Sequence, residues 1–352
     1  MARVTLQTIA DRVGVSRMTV SNAFSRPDQL SPALRAQILA TAQELGYVGP
    51  DPAARALARG TTGAVGVLLT ESLRYAFTDE VAMGFLGAIA EELAPTGLAL
   101  TLLTSSAGQG DVVPARDVAI DGALVYSCDP KSPAADVLMR RRLPVVFVDQ
   151  TPVPGVPSVN VDDRAGARAA AQHLVDLGHR EIGILSTGIH GPYGLVADPD
   201  AVAEAHVTRQ RMLGWTEALG AAGITPTVVR QPHEPPDPTA VVRLLLSVTP
   251  RPTAVLCFSD ALAEALVHAA EDAGLKVPRD LSVVGFDDNP LASRMRPPLT
   301  TVRQDVAAKG QAATAALKVA MDRAQAGGSP RARHVLLPTE LVVRESTAAP
   351  PR

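Results

Sequence analysis

The chain has 352 residues, 46% hydrophobic and 20% charged, with formal net charge −3. That composition excludes a collagen-like chain, a disulfide scaffold and a mostly disordered protein, and the length suits two or three domains with real cores. The charge is unevenly spread: residues 1–60 hold seven Arg, no Lys and four acids (+3), which leaves 26 basic and 32 acidic residues beyond them (−6). A small basic head on a larger acidic body is the first pointer to function. Cys128 and Cys257 stand among apolar neighbours and are expected to be buried free thiols. The start, Met-Ala-Arg-Val-Thr-Leu, carries no long apolar segment. No uncharged apolar run approaches the ~20 residues a membrane span needs, so the expectation is a soluble, cytoplasmic protein with no membrane partner.

Leu6, Ile9, Ala10 and Val13 recur at helical spacing, and Gly14 ends the pattern. Ser16 is suited to cap a second helix that turns Val20 and Ala23 inward. Ser31-Pro32 opens a third, whose stripe Leu34, Ile38, Ala42, Leu45 closes at Gly46. Two short helices joined through Gly14-Val15-Ser16, with a third behind them, make a helix-turn-helix unit. Such a unit lays its second helix in the major groove, where Arg pairs with guanine, Asn with adenine, and Met offers apolar contact. Arg17, Met18 and Asn22 are therefore the candidate base readers.

Val4-Thr5-Leu6, Ile9-Ala10, Gly14-Val15-Ser16, Thr19-Val20-Ser21, Ser31, Arg35 and Glu44-Leu45-Gly46-Tyr47 resemble the headpiece of the LacI/GalR family of bacterial transcription regulators. The resemblance implies base reading by Arg17, Met18 and Asn22, and backbone contacts from Thr5, Ser16, Thr19, Ser21 and Ser31. Residues 51–60, Asp-Pro-Ala-Ala-Arg-Ala-Leu-Ala-Arg-Gly, are too short for a stable isolated helix and are expected to be disordered unless something docks them. In the family this stretch resembles the hinge helix, with Leu57 as the minor-groove wedge and Arg55 and Arg59 on phosphates.

From Gly63 onward, apolar runs (Ala64–Leu69, Leu98–Leu103, Gly122–Tyr126, Val145–Val148, Ile182–Leu185, Ala254–Phe258, Leu281–Phe286) alternate with amphipathic stretches (Val81–Leu93, Arg164–Leu177, Arg211–Ala222, Ala261–Ala273). Repeated β-α units predict two parallel sheets flanked by helices, with a ligand cleft beyond the carboxyl ends of the strands. Asp149, Asp260, Asp287 and Asp288 follow such runs, and Arg211 is read as opening its helix. Carboxylates with an Arg suit a polyhydroxylated or nitrogenous ligand. Asp163 and Asp288 are read as helix caps; Asp149, Arg211 and Asp287 as ligand contacts.

Ser158-Val-Asn-Val-Asp-Asp163, His173 through His179, Ser282 through Asp288, Pro298 through Gln304 and Leu337 through Ser346 also resemble family blocks. The resemblance implies a periplasmic-binding-protein-like body crossed three times by the chain, with Asp149, Arg211 and Asp287 at effector positions, and Asp260 beside them. Phe77 and Asp79 match the place of an aromatic that stacks on the effector. The other aromatic candidates are Tyr75, Tyr126, Phe147, Tyr193, Trp215 and Phe258; Phe147 and Phe258 read as core, and Trp215 as either core or pocket. Residues 186–210 read as one long loop that shapes effector specificity.

The expected organisation is an all-α head (1–49), a hinge (50–62), an α/β body (63–347) and a tail (348–352). Within the body one subdomain takes 63–161 and 303–326, the other 162–302 and 327–347. No dinucleotide, P-loop, nucleophile-elbow or zinc-protease motif is present, so neither an enzyme nor a cofactor nor a metal is expected. The expected partners are a pseudo-palindromic DNA operator, a small-molecule effector such as a sugar, and a second copy of the chain, since residues 347–352 offer no heptads for a tetramer. Repressor is favoured, activator stays open, and a periplasmic-type sugar-binding protein is the alternative that residues 1–60 argue against.

Overall fold

The computed structural model describes residues 4–49, 51–69, 73–104, 114–127, 132–188, 193–198, 205–232, 237–328 and 332–351, without the side chains of 27, 52, 53, 58 and 75. The chain forms two compact units, one through Gly63 and one from Ala64.

The first unit holds α1 (Leu6–Val13), α2 (Arg17–Ser25), α3 (Pro32–Glu44) and α4 (Pro52–Arg59). Each of the first three helices starts on a hydroxyl cap: Thr5, Ser16 and Ser31 accept from Thr8, Thr19 and Leu34 N–H. Gly14, at φ 79°, makes the left-handed turn between α1 and α2. Ile9, Ala10, Val20, Ala23, Ile38 and Ala42 form the core, and Phe24 meets Tyr47 edge to face at 5.7 Å. Residues 52–59 are helical, not disordered. Asp51 accepts from Ala54 N–H at 3.3 Å, Pro52 stands at the first position and Arg59 in the last turn, all of which favour a helix.

The second unit runs β1 (Ala64–Leu69), α5 (Leu73–Ala76), α6 (Glu80–Leu93), β2 (Ala99–Thr104), α7 (Pro114–Asp117), β3 (Gly122–Tyr126), α8 (Pro133–Arg140), β4 (Val145–Val148) and β5 (Ser158–Val161). It continues with α9 (Asp163–Asp176), β6 (Ile182–Gly188), β7 (Gly194–Val196), α10 (His206–Ala221), β8 (Thr227–Pro232), α11 (Pro238–Ser247), β9 (Ala254–Cys257) and α12 (Asp260–Asp272). The last elements are β10 (Ser282–Asp287), α13 (Pro290–Arg294), β11 (Thr300–Gln304), α14 (Val306–Gln325), β12 (His334–Leu337) and β13 (Thr339–Val342).

These strands make two sheets, ordered β12-β5-β4-β3-β1-β2 and β13-β11-β10-β9-β6-β8-β7. The first sheet is parallel throughout. The second is parallel at its centre, with antiparallel strands β13 and β7 at its two edges. Both faces of each central strand are buried, which explains their unbroken apolar runs. In β1, Val65, Val67 and Leu69 face α6 and α14, while Leu68 packs with Leu103 and Leu138 on the other side.

The chain crosses between sheets after β5, β11 and β12. Because β12 pairs with β5, residues 334–337 belong to the first subdomain, and the third crossing falls at Pro338 rather than at 327. Likewise β11 extends the second subdomain to Gln304. Ala348 does not belong to a loose tail. Ala348 N–H donates to Ser282 Oγ at 3.0 Å, its carbonyl lies 2.8 Å from His179 Nε2, and Thr347 Oγ1 lies 3.0 Å from His173 Nε2. Cys257 is a buried free thiol whose pKa is pushed up by burial, whereas Cys128 lies outside the described residues. Residues 186–210 are not one loop: 186–188 finish β6, 194–196 form β7, and α10 begins at His206. Residues 189–192 and 199–204 lie outside the described set.

Candidate functional sites: a reading helix and a ligand cleft

In the head, Ser16 fixes the start of α2. Its Oγ accepts from Thr19 N–H at 3.0 Å and contacts Thr19 Oγ1 at 2.8 Å. Arg17 and Met18 therefore fall in the first helical turn, both exposed, Met18 at 69% of its surface. Asn22, one turn on, is half-buried and donates to Gln29 Oε1 at 3.1 Å. Thr5, Ser16 and Ser31 each sit at a helix N-terminus, where unpaired N–H groups and the helix dipole favour a phosphate. In α4, Leu57 is 87% exposed, with Arg55 and Arg59 exposed beside it.

In the body, a cavity of about 510 Å³ lies where the carboxyl ends of the two sheets meet. From the first subdomain its wall takes Asp79, Tyr126, Ser127, Asp149 and Lys309; from the second, Asp163, Thr187, Arg211, Phe258 and Asp287, with Gln304 at the crossing. Several wall residues turn sharply off strand ends in left-handed conformations: Ser127 (φ 45°), Asp149 (φ 54°) and Asp287 (φ 115°). Non-glycine residues held there store strain, and such strain clusters at functional sites.

A continuous polar relay crosses the cleft. Lys309 Nζ donates to Asp149 Oδ2 at 2.6 Å and to Gln304 Oε1 at 2.9 Å; Gln304 Nε2 donates to Asp287 Oδ1 at 2.7 Å. Arg211 completes it, with NH2 3.3 Å from Asp287 Oδ1, Nε 2.8 Å from Asp163 Oδ1 and NH1 on the Phe258 carbonyl. The Arg211 guanidinium also lies 3.6 Å from the Phe286 ring centre and 4.6 Å from that of Phe258, where cation–π attraction adds to the ion pairs. Burial pushes the Asp163 carboxyl up to about 6, against the pull of Arg211. Burial likewise raises Asp287, and raises the Tyr126 phenol with help from Asp149.

A second link spans the cleft at His206. Asn160 is oriented by its reciprocal bonds with the Gln150 backbone (3.1 and 2.8 Å), which aims its Nδ2 at His206 Nε2, 3.4 Å away. Nε2 must then accept, so Nδ1 carries the proton and donates to Thr151 Oγ1 at 3.3 Å. Burial lowers the pKa of this imidazole, in keeping with its neutral form.

The sequence-predicted residues divide. Asp79, Asp149, Arg211 and Asp287 come together in the cavity wall, Asp79 also capping α6 through Ala82 N–H at 2.7 Å. Arg211 does not open its helix, which begins at His206. It sits in the second turn, brought to Asp163 by a close crossing of α9 and α10. A Cβ on Gly214 would lie 2.3 Å from the Arg164 carbonyl oxygen, so only Gly admits this approach. Asp163 is not the cap of α9. Asp162 is, accepting from Ala165 N–H at 3.0 Å, which leaves Asp163 free to turn into the cleft. Asp288 caps nothing: it pairs with Arg303 at 2.6 Å and Arg344 at 2.5 Å, while Asn289 caps α13.

Asp260 stands behind the wall, accepting from Thr301 Oγ1 at 2.5 Å and Asn289 N–H at 3.0 Å; its neighbour Ser259 lines the cavity instead. Trp215 belongs to the core, 1% exposed, four residues along α10 from Arg211 and packed with Leu219 and Phe286. Phe77 is 63% exposed and outside the cavity wall. Of the other aromatics, Tyr126 and Phe258 line the cavity, Phe147 is core and Tyr193 is exposed; the side chain of Tyr75 lies outside the described set. Sequence reasoning missed Lys309, Gln304 and His206. Lys309 had a signal: it is one of four lysines (131, 276, 309, 318) in a chain that otherwise uses Arg, and it sits on the apolar face of its helix.

Among the described residues no group of three or more His, Cys, Asp or Glu could hold a metal ion, and no helix is long and apolar enough to cross a membrane. The family model for bacterial regulatory proteins of the lacI family matches residues 5–49, and that for a periplasmic binding protein-like domain matches residues 171–347. The HTH-type transcriptional regulator Rv3575c of Mycobacterium tuberculosis is 40% identical, over 99% of this chain and 98% of its own. The lac repressor dimer bound to operator and an anti-inducer is similar with a TM-score of 0.78 at 26% identity, over 99% of this chain and 100% of that one. The transcriptional regulator CelR in complex with cellobiose has a TM-score of 0.69 at 28% identity, over 98% of this chain and 100% of that one. Head, body and relatives agree: the chain belongs to the lacI family of bacterial regulatory proteins and is a sequence-specific DNA-binding transcriptional regulator.

Proposed function

We propose that the chain works as a homodimeric repressor that reads a pseudo-palindromic operator and changes its grip when a small polyhydroxylated molecule, a sugar or related metabolite, enters the body's cleft. One observation carries the effector half of this reading: a cavity of about 510 Å³ between two subdomains, spanned by buried ionic groups, in a chain whose other unit presents a reading helix. Related proteins support each half, since one is seen as a dimer on operator DNA and another with cellobiose.

Phosphate contacts from the Arg-rich head supply salt-dependent affinity, while Arg17, Met18 and Asn22 supply base preference. Leu57, flanked by Arg55 and Arg59, acts as an apolar wedge at a deformable central step. The relay from Asp149 to Asp163 ties the two subdomains, so a ligand that engages both ends biases their arrangement. Effector and operator are thereby coupled through one two-state element, and linkage makes that coupling reciprocal.

The test is selection of duplexes from a random library by the full-length chain, followed by footprinting of the enriched sequence. Two symmetric half-sites protected at a fixed spacing are expected. Enrichment of no sequence over salt-matched random DNA overturns the reading.

A further inference from the structure

The cleft offers a ligand an unequal set of partners. Among the described residues, three buried polar atoms of its wall have no hydrogen-bond partner: Asp149 Oδ1, Asp163 Oδ2 and Gln231 Oε1. The two carboxylate oxygens can only accept, while the Gln231 amide carries both an acceptor and donors. Its two buried cations are already engaged, Arg211 by Asp163, Asp287 and the Phe258 carbonyl, Lys309 by Asp149 and Gln304. The wall's other cation, Arg74, is exposed, so at the buried carboxylates Asp149 and Asp163 what the ligand must bring is hydrogen-bond donors.

Charge narrows the class further. An anionic ligand seated among these buried groups, whether a phosphate ester or a carboxylate, would set its oxygens against Asp149 Oδ1 and Asp163 Oδ2, and would find neither buried cation free to receive it. Like charges in a desolvated site repel strongly. A cationic amine would normally be drawn to a buried carboxylate such as Asp149. Here Lys309, 1% exposed and with its Nζ 2.6 Å from Asp149 Oδ2, has already supplied that positive charge from within the chain. Its ammonium also lies 5.6 Å from the centre of the Tyr126 ring, which holds it against a second wall of the cavity.

Resting on the reading of the cleft as an effector site, we propose that Lys309 determines the charge class of the ligand: it neutralises Asp149 from inside and reserves the cleft for an uncharged, hydroxyl-rich molecule. Asp149 then presents one charged oxygen to a ligand hydroxyl, a strong charge-assisted bond, without drawing amines. The specificity is a difference of affinities set by a repulsive and a pre-filled position.

The experiment is calorimetric titration of the full-length chain with matched sets built on the same ring: neutral hexoses and hexitols, their monophosphates, the hexuronates and the amino hexoses. A neutral member is expected to bind at least tenfold more tightly than its phosphate, uronate or amino counterpart. If a charged counterpart binds as tightly as its neutral parent, the proposal fails while the cleft remains an effector site. If no member of any set binds, the effector reading fails with it.

Lys309→Met supplies the second arm, since it leaves Asp149 without its internal cation. The affinity ratio of amino hexose to neutral hexose should rise at least tenfold, and Lys309→Arg should keep the wild-type ranking. An unchanged ratio in a folded Lys309→Met overturns the proposal; if that variant does not fold, the wild-type ranking decides.

Discussion

Arg211 and Asp163 meet at 2.8 Å with 4% and 1% of their side chains exposed, so neither charge can be removed without stranding the other. Asp287, 3.3 Å from the same guanidinium, would be stranded as well. Breaking a buried pair from one side costs about 3–5 kcal/mol, because the remaining charge stays desolvated. Arg211→Ala should therefore destabilise the body by that order, and also abolish its response to effector. The single tryptophan, Trp215, lies in the same core and makes urea unfolding readable by fluorescence. Adding Asp163→Asn should recover part of the stability, since coupled residues are not additive.

The buried carboxylates also set a pH dependence. Asp163 titrates at about 6 in the folded chain because burial outweighs Arg211, against ~3.9 for an unfolded Asp. The folded state thus holds its proton more tightly. Its contribution to stability is fully present below about pH 4 and is lost as pH rises through about 6. Asp260 is raised by burial first and by Asp287 next, so its contribution is lost in the same direction.

Asp260→Asn can keep both partners, with its carbonyl oxygen on Asn289 N–H and its amide on Thr301 Oγ1. The variant should melt above the wild type at alkaline pH, with the gain shrinking toward pH 4. A gain that is flat across this range would show that the Asp260 charge is not what burial penalises.

On the DNA side, Arg17→Ala should relax preference at one base pair per half-site, weakening the preferred operator by about 1–3 kcal/mol for each half-site. Competition binding against operators altered one position at a time reads this directly. Uniform weakening across all operators would instead assign Arg17 to the phosphate backbone.

Leu57→Ala should lower affinity for the specific operator while sparing affinity for random DNA. The slope of binding against salt should hardly move, because the wedge carries no charge. Anisotropy titrations at several salt concentrations separate the two quantities.

Legibility in the sequence follows burial. Strands β1, β3 and β4 coincide with apolar runs because both their faces are packed. Strand β5 (Ser-Val-Asn-Val) carries polar residues that are buried yet bonded, Asn160 to Gln150 and Ser158 to His334, and no periodicity rule separates it from a loop. Strands β12 and β13 follow a crossing that only tertiary pairing defines. The strand-end acids Asp149 and Asp287 are legible because carboxyl ends of parallel strands face the ligand side. Asp163 is not, because two adjacent acids compete for one cap and the first wins. Lys309 is reached by no rule about strand ends: it projects from the first turn of α14, and only the fold brings it to Asp149, 160 residues earlier. Phe77 departs from expectation, and Trp215 reads in sequence as either core or pocket, for another reason, since aromatic identity alone does not distinguish core, wall and surface.

The three crossings between sheets carry a consequence for synthesis. Each sheet takes an edge strand from the last stretch of chain, β12 for one and β13 for the other. A nascent chain halted before residue 334 would hold two sheets with open parallel edges at β5 and β11, both templates for pairing with another chain. The two sheets are therefore complete only when their final strands leave the ribosome. Until then the reading helices, made first, are tethered to an unfinished, association-prone body.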